Sequence, residues 1–355
     1  MKTIKIKGYK SFREIEVNLN RINLLIGSNG SGKSNFLSVF EMLGCAYDQR
    51  LASFVTNVGG VDKLLFQGKK VTDRIEVVVS EDMNSYSLTL LEADGRFVIE
   101  HERLGFEGFY ESNFTDIASN QTETLLKGYN GMKRGEYIKQ YMSQIRKFHF
   151  HDTGRRSPFT NDSHVINDAY RMYEQGQNLA AILYRIQKED QKAYRRIIKV
   201  IQSVAPYFND FYFEPTIADM IRLQWQDKYS SMIYGPTDLS DGTIRFIALA
   251  TLFLQPVLPK VIIIDEPELG LHPVAIAKLA GLIKIAAQQG TQVIIATQSS
   301  ELISNFTPED VLTVNQRNGE SYIERLDEDS LRHWLNEYTL GDLWKQNILK
   351  GGQPR

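Results

Sequence analysis

Cysteine is almost absent from this 355-residue chain, which contains only Cys45. A disulfide within the chain is therefore excluded, and a single thiol is typical of a reducing compartment. The sequence also lacks any run of about 18 apolar residues, the length that a membrane-spanning helix needs. Its N-terminus, Met1 to Ile6, alternates charged and apolar residues, which predicts a strand and not a signal peptide. We therefore expect a cytoplasmic protein without a membrane segment.

The chain has no excess of either charge, because 41 lysines and arginines face 43 aspartates and glutamates, for a net charge of −2. This balance neither demands nor excludes nucleic acid, and any basic surface must be a local patch. Internal repeats, low-complexity tracts and sustained heptads are also missing, so a long coiled-coil arm is not expected. The hydrophobic fraction of 42% is typical of a globular protein.

The two ends of the chain carry alternating strand and helix patterns. In chain order the patterns predict a strand at 22–26, a helix at 33–44, a helix at 241–254, a strand at 261–264, a helix at 273–288 and a strand at 292–296. Such alternation is typical of an α/β fold with a mainly parallel sheet.

The middle of the chain has a different character. Residues 71–101 alternate as strands do, with Asp94-Gly95 as a hairpin signal, and residues 179–201 show the spacing of amphipathic helices. We therefore predict an α/β protein with a mixed or parallel sheet, a β-rich subdomain and a mainly helical insertion. The predicted divisions are 1–104, 105–235 and 236–355.

A glycine-rich loop follows the first apolar strand. It matches the phosphate-binding pattern G-x-x-x-x-G-K-[ST] without departure, over Gly27, Ser28, Asn29, Gly30, Ser31, Gly32, Lys33 and Ser34. The glycines let backbone N–H groups surround phosphates, and the following helix adds its positive N-terminal end. Lys33 is expected to reach the β and γ phosphates and Ser34 to bind Mg²⁺, with Asn35 as a further candidate nucleotide contact.

Two carboxylates end the apolar strand Val261 to Ile264. The C-terminal ends of parallel strands are where α/β sheets place their ligands. Asp265 is expected to hold Mg²⁺, directly or through water, and Glu266 to polarise the attacking water. The alternative interpretation, two ordinary carboxylates at a strand end, loses weight once the phosphate loop is accepted.

The sequence Leu239-Ser-Asp-Gly-Thr243 precedes an apolar helix. Ser240 and the N–H groups near Gly242 would form a helix N-terminus, which favours an anion. A cap of this kind is common as a purely structural feature, but its place shortly before Asp265 favours a functional role. At this point the sequence resembles the ABC ATPases, whose signature opens a helix and contacts the γ-phosphate held by the opposite subunit.

Longer motifs narrow the resemblance to the RecF-like ATPases, in the ABC branch that also contains structural-maintenance-of-chromosomes and overcoming-lysogenisation-defect proteins. The motifs are the sequence letters LSDGTIRF from Leu239, DEPELGLHP from Asp265, TQSS from Thr297, FHFHDT from Phe148, GQNLAA from Gly176 and YTLGDLW from Tyr338, followed by Gly351-Gly352. The resemblance implies an ABC-type ATPase head that binds ATP and Mg²⁺. It also implies a homodimer or higher oligomer in which ATP lies between one chain and Ser240 and Gly242 of the other.

The chain departs from transporter ATPases at the position of their switch histidine, where it has Gln298. Glutamine can form hydrogen bonds to the γ-phosphate or the water but cannot exchange a proton near neutral pH. We therefore expect Gln298, like Glu266, to take part in catalysis, and we expect hydrolysis to be slow. Gln67 is a candidate for a further Mg²⁺ contact. The alternative interpretation is that Gln67 is an ordinary solvated loop residue. His272 fits an interface or structural role as well as a functional one.

Three other features have competing interpretations. Phe12 or Arg13 would lie near the nucleotide base in this family, although Phe12 also fits the core. His149, His151 and Asp152 could be imagined as metal ligands, but no further histidine cluster or cysteine supports a metal site. A basic stretch is either a solvated face or a sequence-nonspecific DNA contact; it comprises Lys127, Lys133, Arg134, Lys139, Arg146, Lys147, Arg155 and Arg156.

We expect an ATP-driven conformational switch in DNA maintenance or antiphage defence. The alternative is an ATP-closed scaffold that holds an effector protein, with hydrolysis secondary. A transporter subunit fits less well, because the signature and the middle insertion differ. No acidic triad typical of a two-metal nuclease occurs in the last 55 residues, so any DNA cleavage is expected from a partner protein.

Overall fold

A computed structural model describes residues 1–107, 112–131, 133–349 and 351. The chain divides into two units. Unit 1 contains Met1–Arg146 and Thr307–Arg355, and unit 2 contains Lys147–Phe306. These bounds differ from the three-part division predicted from the sequence, which stays a prediction.

Strands are distributed along the whole chain. They are β1 (Thr3–Tyr9), β2 (Phe12–Asn18), β3 (Ile22–Ile26), β4 (Arg74–Glu81), β5 (Asn84–Ala93), β6 (Arg96–Glu107), β7 (Ser112–Ala118), β8 (Ile145–Phe148), β9 (Ser163–His164), β10 (Phe208–Tyr212), β11 (Met220–Ile221), β12 (Gln224–Asp227), β13 (Ile233–Tyr234), β14 (Val261–Asp265), β15 (Gln292–Thr297), β16 (Val311–Arg317) and β17 (Glu320–Arg325).

The α-helices lie between these strands and after the last of them. They are α1 (Lys33–Tyr47), α2 (Leu51–Val58), α3 (Lys133–Met142), α4 (Leu179–Glu189), α5 (Gln191–Gln202), α6 (Asp241–Leu254), α7 (Pro273–Gln288), α8 (Ser300–Ile303), α9 (Glu328–Leu335) and α10 (Leu340–Lys345). Within the described residues, no helix is both long enough and apolar enough to cross a membrane.

Unit 1 contains an antiparallel sheet with the strand order β2-β1-β4-β5-β6-β7. Its strands alternate as predicted; in β1, Ile4 and Ile6 are buried while the intervening Lys5 is exposed. The predicted hairpin signal is confirmed, because Asp94 and Gly95 join β5 to β6 with φ angles of 52° and 81°. Two positive φ angles in a two-residue turn match the twist of the flanking strands.

A second set of strands in unit 1 carries the phosphate loop. The strand β3 is buried along its whole length and pairs in parallel with β16, which in turn pairs antiparallel with β17. The helix α1 follows the loop and buries Phe36 and Phe40, whose rings meet edge to face at 5.3 Å. Phe36 also contacts Phe12, which is fully buried. The core interpretation of Phe12 is thus the one that the structure supports.

In unit 2 the strands β14 and β15 pair in parallel, with Asp265 opposite Ala296. Their C-terminal ends therefore meet at one edge, which brings Glu266 and the segment after Ala296 together. The helix α6 is buried at every residue from Ile244 to Leu254, and these residues are apolar except for Arg245 and Thr251, as expected of a helix covered on all sides. The predicted bounds of α6 and α7 are confirmed.

The segment 105–235 contains more strand structure than the sequence predicted. The helices α3, α4 and α5 are present, but β10, β12 and β13 form a small antiparallel sheet, and β9 pairs with β11. The rings of Phe208, Phe211 and Trp225 pack on the first of these sheets. A helical description therefore fits only part of this segment.

Candidate nucleotide site

The phosphate loop has the backbone that its glycines permit. Gly30 and Gly32 have φ angles of 78° and 115°, in the left-handed region that other residues enter only with strain. A side chain at Gly32 would also collide with Ser321 of β17. Gly32 is the residue before α1, and it offers no side chain to cap that helix. The N-terminal end of α1 is thus suited to an anion.

The side chain of Lys33 folds back onto the phosphate loop. It is 6% exposed, and its ammonium group donates hydrogen bonds to the carbonyl oxygens of Gly27 at 2.7 Å and Ser28 at 3.0 Å. A buried ammonium needs such acceptors, and a phosphate oxygen is a stronger one because it is charged. The lysine is therefore held on the loop, as a phosphate-binding role requires.

A chain of side-chain hydrogen bonds supports the loop from outside. The Asn35 amide donates to the Ser11 hydroxyl at 2.9 Å, Ser11 and Ser321 are 2.8 Å apart, and Ser321 lies 2.6 Å from the carbonyl oxygen of Ser31. Each hydroxyl has one proton, so the consistent pattern runs from Asn35 through both serines to Ser31. Asn35 was predicted as a nucleotide contact, whereas Ser11 and Ser321 were missed, since single serines give no sequence signal.

The C-terminal glycine motif also meets the loop. The N–H of Ser28 donates to the carbonyl oxygen of Gly351 at 3.0 Å, and Gly351 has a φ of 102°. Gly352 lies outside the described residues. The tail motif therefore contributes to the loop through Gly351.

Glu266 follows β14 in a strained backbone conformation. Its φ angle is 44°, although it is not glycine, and its N–H donates to the carbonyl oxygen of Ala296 at 2.8 Å. Non-glycine residues in this region cost energy and are found preferentially at functional sites. The strained backbone therefore supports the role predicted for Glu266.

Gln298 and Glu266 are in direct contact. The amide nitrogen of Gln298 donates to a carboxylate oxygen of Glu266 at 2.6 Å. Both residues were predicted to be catalytic, and the structure brings their side chains into contact. A glutamine in this position holds and orients the carboxylate but cannot take a proton from it.

A buried carboxylate lies beneath this pair. Glu268 is 9% exposed and accepts a hydrogen bond of 2.5 Å from the Thr297 hydroxyl, which itself accepts one from the N–H of Ser299. Its second oxygen is buried with no hydrogen-bond partner among the described residues. Burial raises the pKa of Glu268, and the Thr297 hydroxyl opposes that shift. Sequence reasoning assigned no catalytic role to Glu268 or Thr297.

The predicted signature forms the N-terminus of α6. Ser240 is the N-cap, and its hydroxyl accepts from the N–H of Thr243 at 3.2 Å. Gly242 lies so close to the loop after Glu266 that an added Cβ would be 2.5 Å from the carbonyl oxygen of Gly270. Gly242 is therefore required for packing whether or not it contacts a nucleotide.

Other candidates have more limited roles. Gln67 lies in an exposed turn with a φ of 55°, and its amide nitrogen would be 4.0 Å from a Cβ added at Gly319. Its contact with Mg²⁺ stays a prediction. Arg13 is exposed and lies over the ring of Phe66. His272 is the N-cap of α7 and accepts from the N–H of Val274 at 3.3 Å, which is a structural role.

The basic stretch is not one continuous exposed surface. Lys139 is only 8% exposed and donates to Glu136 at 2.9 Å and Asn130 at 3.2 Å. It is therefore unsuited to the phosphate contact considered from the sequence. Arg155 and Arg156 are exposed, whereas the side chains of Lys133 and Arg134 lie outside the described residues.

Each unit carries groups that fit ATP with Mg²⁺. Unit 1 has the Ser34 hydroxyl and unit 2 has the Asp265 carboxylate, and each is an oxygen ligand of the kind that Mg²⁺ prefers. The loop provides backbone N–H groups, a helix N-terminus and a lysine for phosphates. These features agree with the predicted nucleotide, although the individual roles remain predictions.

Comparisons with known proteins place this chemistry in a family. Residues 65–304 match the family described as "AAA domain, putative AbiEii toxin, Type IV TA system". The chain is 33% identical over 82 residues to the energy-coupling factor transporter ATP-binding protein EcfA2 of Latilactobacillus sakei subsp. sakei (strain 23K). It is 28% identical over 83 residues to the endonuclease GajA of Bacillus cereus (strain VD045). Each alignment covers 23% of this chain, and they span 28% and 13% of the two relatives.

Two solved structures share the fold. One is a crystal structure of an Smc head bound to the C-terminal winged-helix domain of ScpA, with a TM-score of 0.59 and 15% identity, covering 93% of this chain and 99% of that one. The other is the Smc head domain from Pyrococcus furiosus, with an extended coiled coil and bound to the C-terminal domain of ScpA, with a TM-score of 0.57 and 14% identity, covering 95% and 98%. The α/β fold predicted from the sequence is thus the fold of Smc heads. The chain belongs to the AAA-domain family that its residues 65–304 match.

Proposed function

We propose that this protein hydrolyses ATP slowly, that two copies close around ATP, and that closure and release work as a switch in DNA maintenance or antiphage defence. The observation that carries the proposal is the pair Glu266 and Gln298. A strained glutamate backbone and a 2.6 Å hydrogen bond hold one carboxylate in a fixed orientation at the end of β14. Such an arrangement is costly to maintain without a chemical use.

Each predicted residue has a distinct role in the proposed reaction. Lys33 and the loop N–H groups bind and orient the phosphates, and Ser34 and Asp265 hold Mg²⁺, which supplies charge neutralisation when bound. Glu266 orients the attacking water and accepts its proton. Gln298 fixes Glu266 and adds no second proton acceptor, which is why we expect slow turnover.

The proposed dimer rests on the N-terminus of α6. Ser240 and Asp241 are exposed there, so this end of the helix is accessible to a second copy. In the family, the corresponding signature contacts the nucleotide bound by the other subunit, and the same contact is proposed for Ser240 and Gly242. An exposed helix N-terminus favours the γ-phosphate electrostatically.

The central test compares wild type with Glu266→Gln. The variant keeps the size of the side chain and its contact with Gln298 but removes the proton acceptor. We expect it to bind ATP with unchanged affinity, to lose at least about 99% of turnover, and to accumulate as an ATP-bound dimer in size-exclusion chromatography with light scattering. Glu337→Gln, at an exposed site, is the matched control and should behave as wild type. Absence of ATP binding or of the dimer would refute the proposal.

A role linked to DNA is tested with the same proteins. We expect duplex DNA of mixed sequence to stimulate wild-type turnover several-fold, and salt to abolish this effect, because backbone contacts release counterions. The endonuclease named among the relatives and the Smc heads motivate this arm of the proposal. Turnover that is unchanged by DNA at low salt would remove the DNA role while leaving the ATPase proposal intact.

The second candidate is a scaffold that holds an effector protein in its ATP-closed form. Gln298 favours it, because a site without a histidine can bind ATP well and hydrolyse it poorly. In that case wild type and Glu266→Gln form the same stable assembly with ATP, and blocking hydrolysis changes nothing in its lifetime. If the wild-type dimer instead dissociates as ATP is consumed, the switch is supported.

A further inference from the structure

The motif Phe148–Thr153 has no role in the proposed reaction, yet its placement in unit 2 is well defined. Phe148 and Phe150 are buried, with their rings 5.9 Å apart, and Phe150 also packs against Phe159. His149, which lies between these two phenylalanines in the sequence, is exposed. The two phenylalanines therefore anchor the segment and fix the direction in which His151 extends.

His151 forms a hydrogen bond to the end of β14. Its Nε2 lies 3.0 Å from the carbonyl oxygen of Asp265. A carbonyl oxygen only accepts, so Nε2 carries the proton and the ring is held as that tautomer by the bond. The backbone of Asp265, the residue that we assign to Mg²⁺, is thus held by a hydrogen bond from His151 of the motif.

The same segment is bonded to α6. Arg245 is 6% exposed, and its guanidinium group donates to the carbonyl oxygens of Phe150 at 3.0 Å and His151 at 3.1 Å. A buried guanidinium is costly unless its donors find acceptors, and here two backbone carbonyls accept from its Nε and Nη2. Because Arg245 lies in the second turn of α6, these bonds fix the helix whose N-cap is Ser240.

A second contact confirms how closely α6 is fitted to this region. Gly242 approaches the carbonyl oxygen of Gly270, and a Cβ at Gly270 would lie 2.8 Å from Nη1 of Arg245. The first turns of α6 therefore pack against the loop that follows Glu266 as well as against the motif. A side chain at Gly242 would force α6 and this loop apart, and one at Gly270 would displace the guanidinium group of Arg245.

We propose that His151 and Arg245 are positioning residues that connect the signature cap at Ser240 to Asp265. Through them the N-terminus of α6 and the C-terminal end of β14 move together. The inference rests on the proposed function. In a closed dimer, Asp265 acts on the nucleotide of its own chain and Ser240 on that of the partner copy. If Asp265 and Ser240 move together, binding of nucleotide at the site that contains Asp265 shifts the Ser240 that faces the second nucleotide. The two sites of the dimer are then coupled.

The test uses His151, because this side chain is half-buried and tolerates substitution better than Arg245. His151→Phe keeps a ring and removes the donor, whereas His151→Gln keeps an N–H donor of similar reach. All variants are made in the full-length chain with and without Glu266→Gln, and His333→Phe, at an exposed position, is the control. Thermal melting establishes that each variant is folded.

Three quantities are measured with ATP. They are the affinity of the chain for nucleotide, the ATP concentration at which the Glu266→Gln protein dimerises, and the Hill coefficient of turnover in the protein that retains Glu266. Loss of one hydrogen bond, about 1.4 kcal/mol, corresponds to about tenfold in an equilibrium. For His151→Phe we expect unchanged nucleotide affinity, an about tenfold higher ATP requirement for dimerisation, and a Hill coefficient that falls toward one. His151→Gln should restore both.

Several results would overturn the inference. Unchanged dimerisation and Hill coefficient in His151→Phe would show that the bond to Asp265 does not couple the sites. An equal loss of nucleotide affinity and dimerisation would indicate a local role only, as would a failure of His151→Gln to restore the wild-type values. If the Glu266→Gln reference itself does not dimerise with ATP, the proposed function fails and the coupling falls with it. If the reference dimerises and the variants do not differ, only the coupling fails.

Arg245→Lys provides an independent check. Lysine keeps the charge but cannot donate to two carbonyl oxygens with the fixed geometry of a guanidinium group. We expect the same separation between nucleotide affinity and dimerisation as in His151→Phe. A lysine variant that melts as wild type and dimerises as wild type would contradict the role of Arg245.

Discussion

Replacing Thr297 by valine tests the buried network beneath the Glu266–Gln298 pair. Valine has the size and branching of threonine, so packing at this fully buried position changes little. The change removes the hydroxyl that donates to Glu268 and accepts from the N–H of Ser299. It leaves the carboxyl group of Glu268, whose other oxygen already lacks a partner among the described residues, without this support.

The expected loss of stability follows from the bonds removed. A hydrogen bond to a charged group contributes about 1.5–3 kcal/mol, and the bond from Ser299 adds about 1 kcal/mol. The extra methyl group of valine offsets about 0.8 kcal/mol of this loss. The net destabilisation is about 1.7–3.2 kcal/mol, which for a unit of the size of Lys147–Phe306 lowers Tm by roughly 3–13 °C.

The loss should depend on pH, because burial raises the pKa of Glu268. As pH rises above the ordinary glutamate pKa, the unfolded chain ionises before the folded one, and stability falls until the raised pKa is passed. Removing the Thr297 donor raises the folded pKa further, so the falling range extends to higher pH. Thr297→Val should therefore lose more stability at about pH 8 than at about pH 5.

The measurement is the Tm of wild type, Thr297→Val and Thr297→Ser, by differential scanning calorimetry at both pH values. Serine retains the hydroxyl and should recover most of the stability. In a Glu268→Gln background the Thr297→Val loss should become independent of pH, because the titrating group is gone. A Tm change below about 2 °C, or an equal change at both pH values with Glu268 present, would refute the reasoning.

Three further substitutions test the phosphate loop and are measured as ATP affinity by isothermal titration calorimetry. Gly32→Ala should weaken binding by at least about a hundredfold, because its φ of 115° strains any side chain and its Cβ meets Ser321. Gly30→Ala has no atom close to the added Cβ and should lose only about tenfold through backbone strain; equal losses would contradict this difference. Ser321→Ala breaks the hydrogen-bond chain to Ser31 and should cost about fivefold, and an unchanged affinity would show that the loop keeps its shape without that chain.

The sequence correctly predicted those parts of the site that a single short segment of the chain determines. An apolar strand followed by a glycine loop specifies β3, the phosphate loop and α1 within one short stretch of sequence, and the structure has them in that order. The bounds of α6 and α7 were also predicted, because a cap residue precedes each helix. Where one segment contains all the necessary signals, the sequence is sufficient.

Contacts between distant segments could not be predicted in this way. Ser11 and Ser321 are 2.8 Å apart, although 310 positions separate them. Ser11 lies in the turn between β1 and β2, and the N–H of Ser321 in β17 donates to its carbonyl oxygen at 2.7 Å. Thr297 and Glu268 lie in different elements and meet because β14 and β15 are in register. A serine, threonine or glutamate has no periodic pattern that would reveal such a partner.

The middle of the chain shows a third limit. The strands β9, β11 and β13 have two residues each, too few to show alternation. Lys139 belongs to a basic stretch in the sequence, yet α3 places Glu136 one turn away and burial removes the lysine from the surface. Charge counted along the chain therefore overestimates the basic surface available here.

The backbone of Glu266 has a consequence for anyone who redesigns this protein. Its φ of 44° would cost glycine almost nothing and asparagine little. A procedure that optimises stability alone would therefore favour glycine or asparagine at this position, and it would gain about 1 kcal/mol for doing so. The resulting protein would be more stable but inactive, because the gain in stability comes from replacing the residue whose carboxylate is proposed to act on water. Stabilised versions of this chain should keep Glu266 fixed and seek their improvement elsewhere.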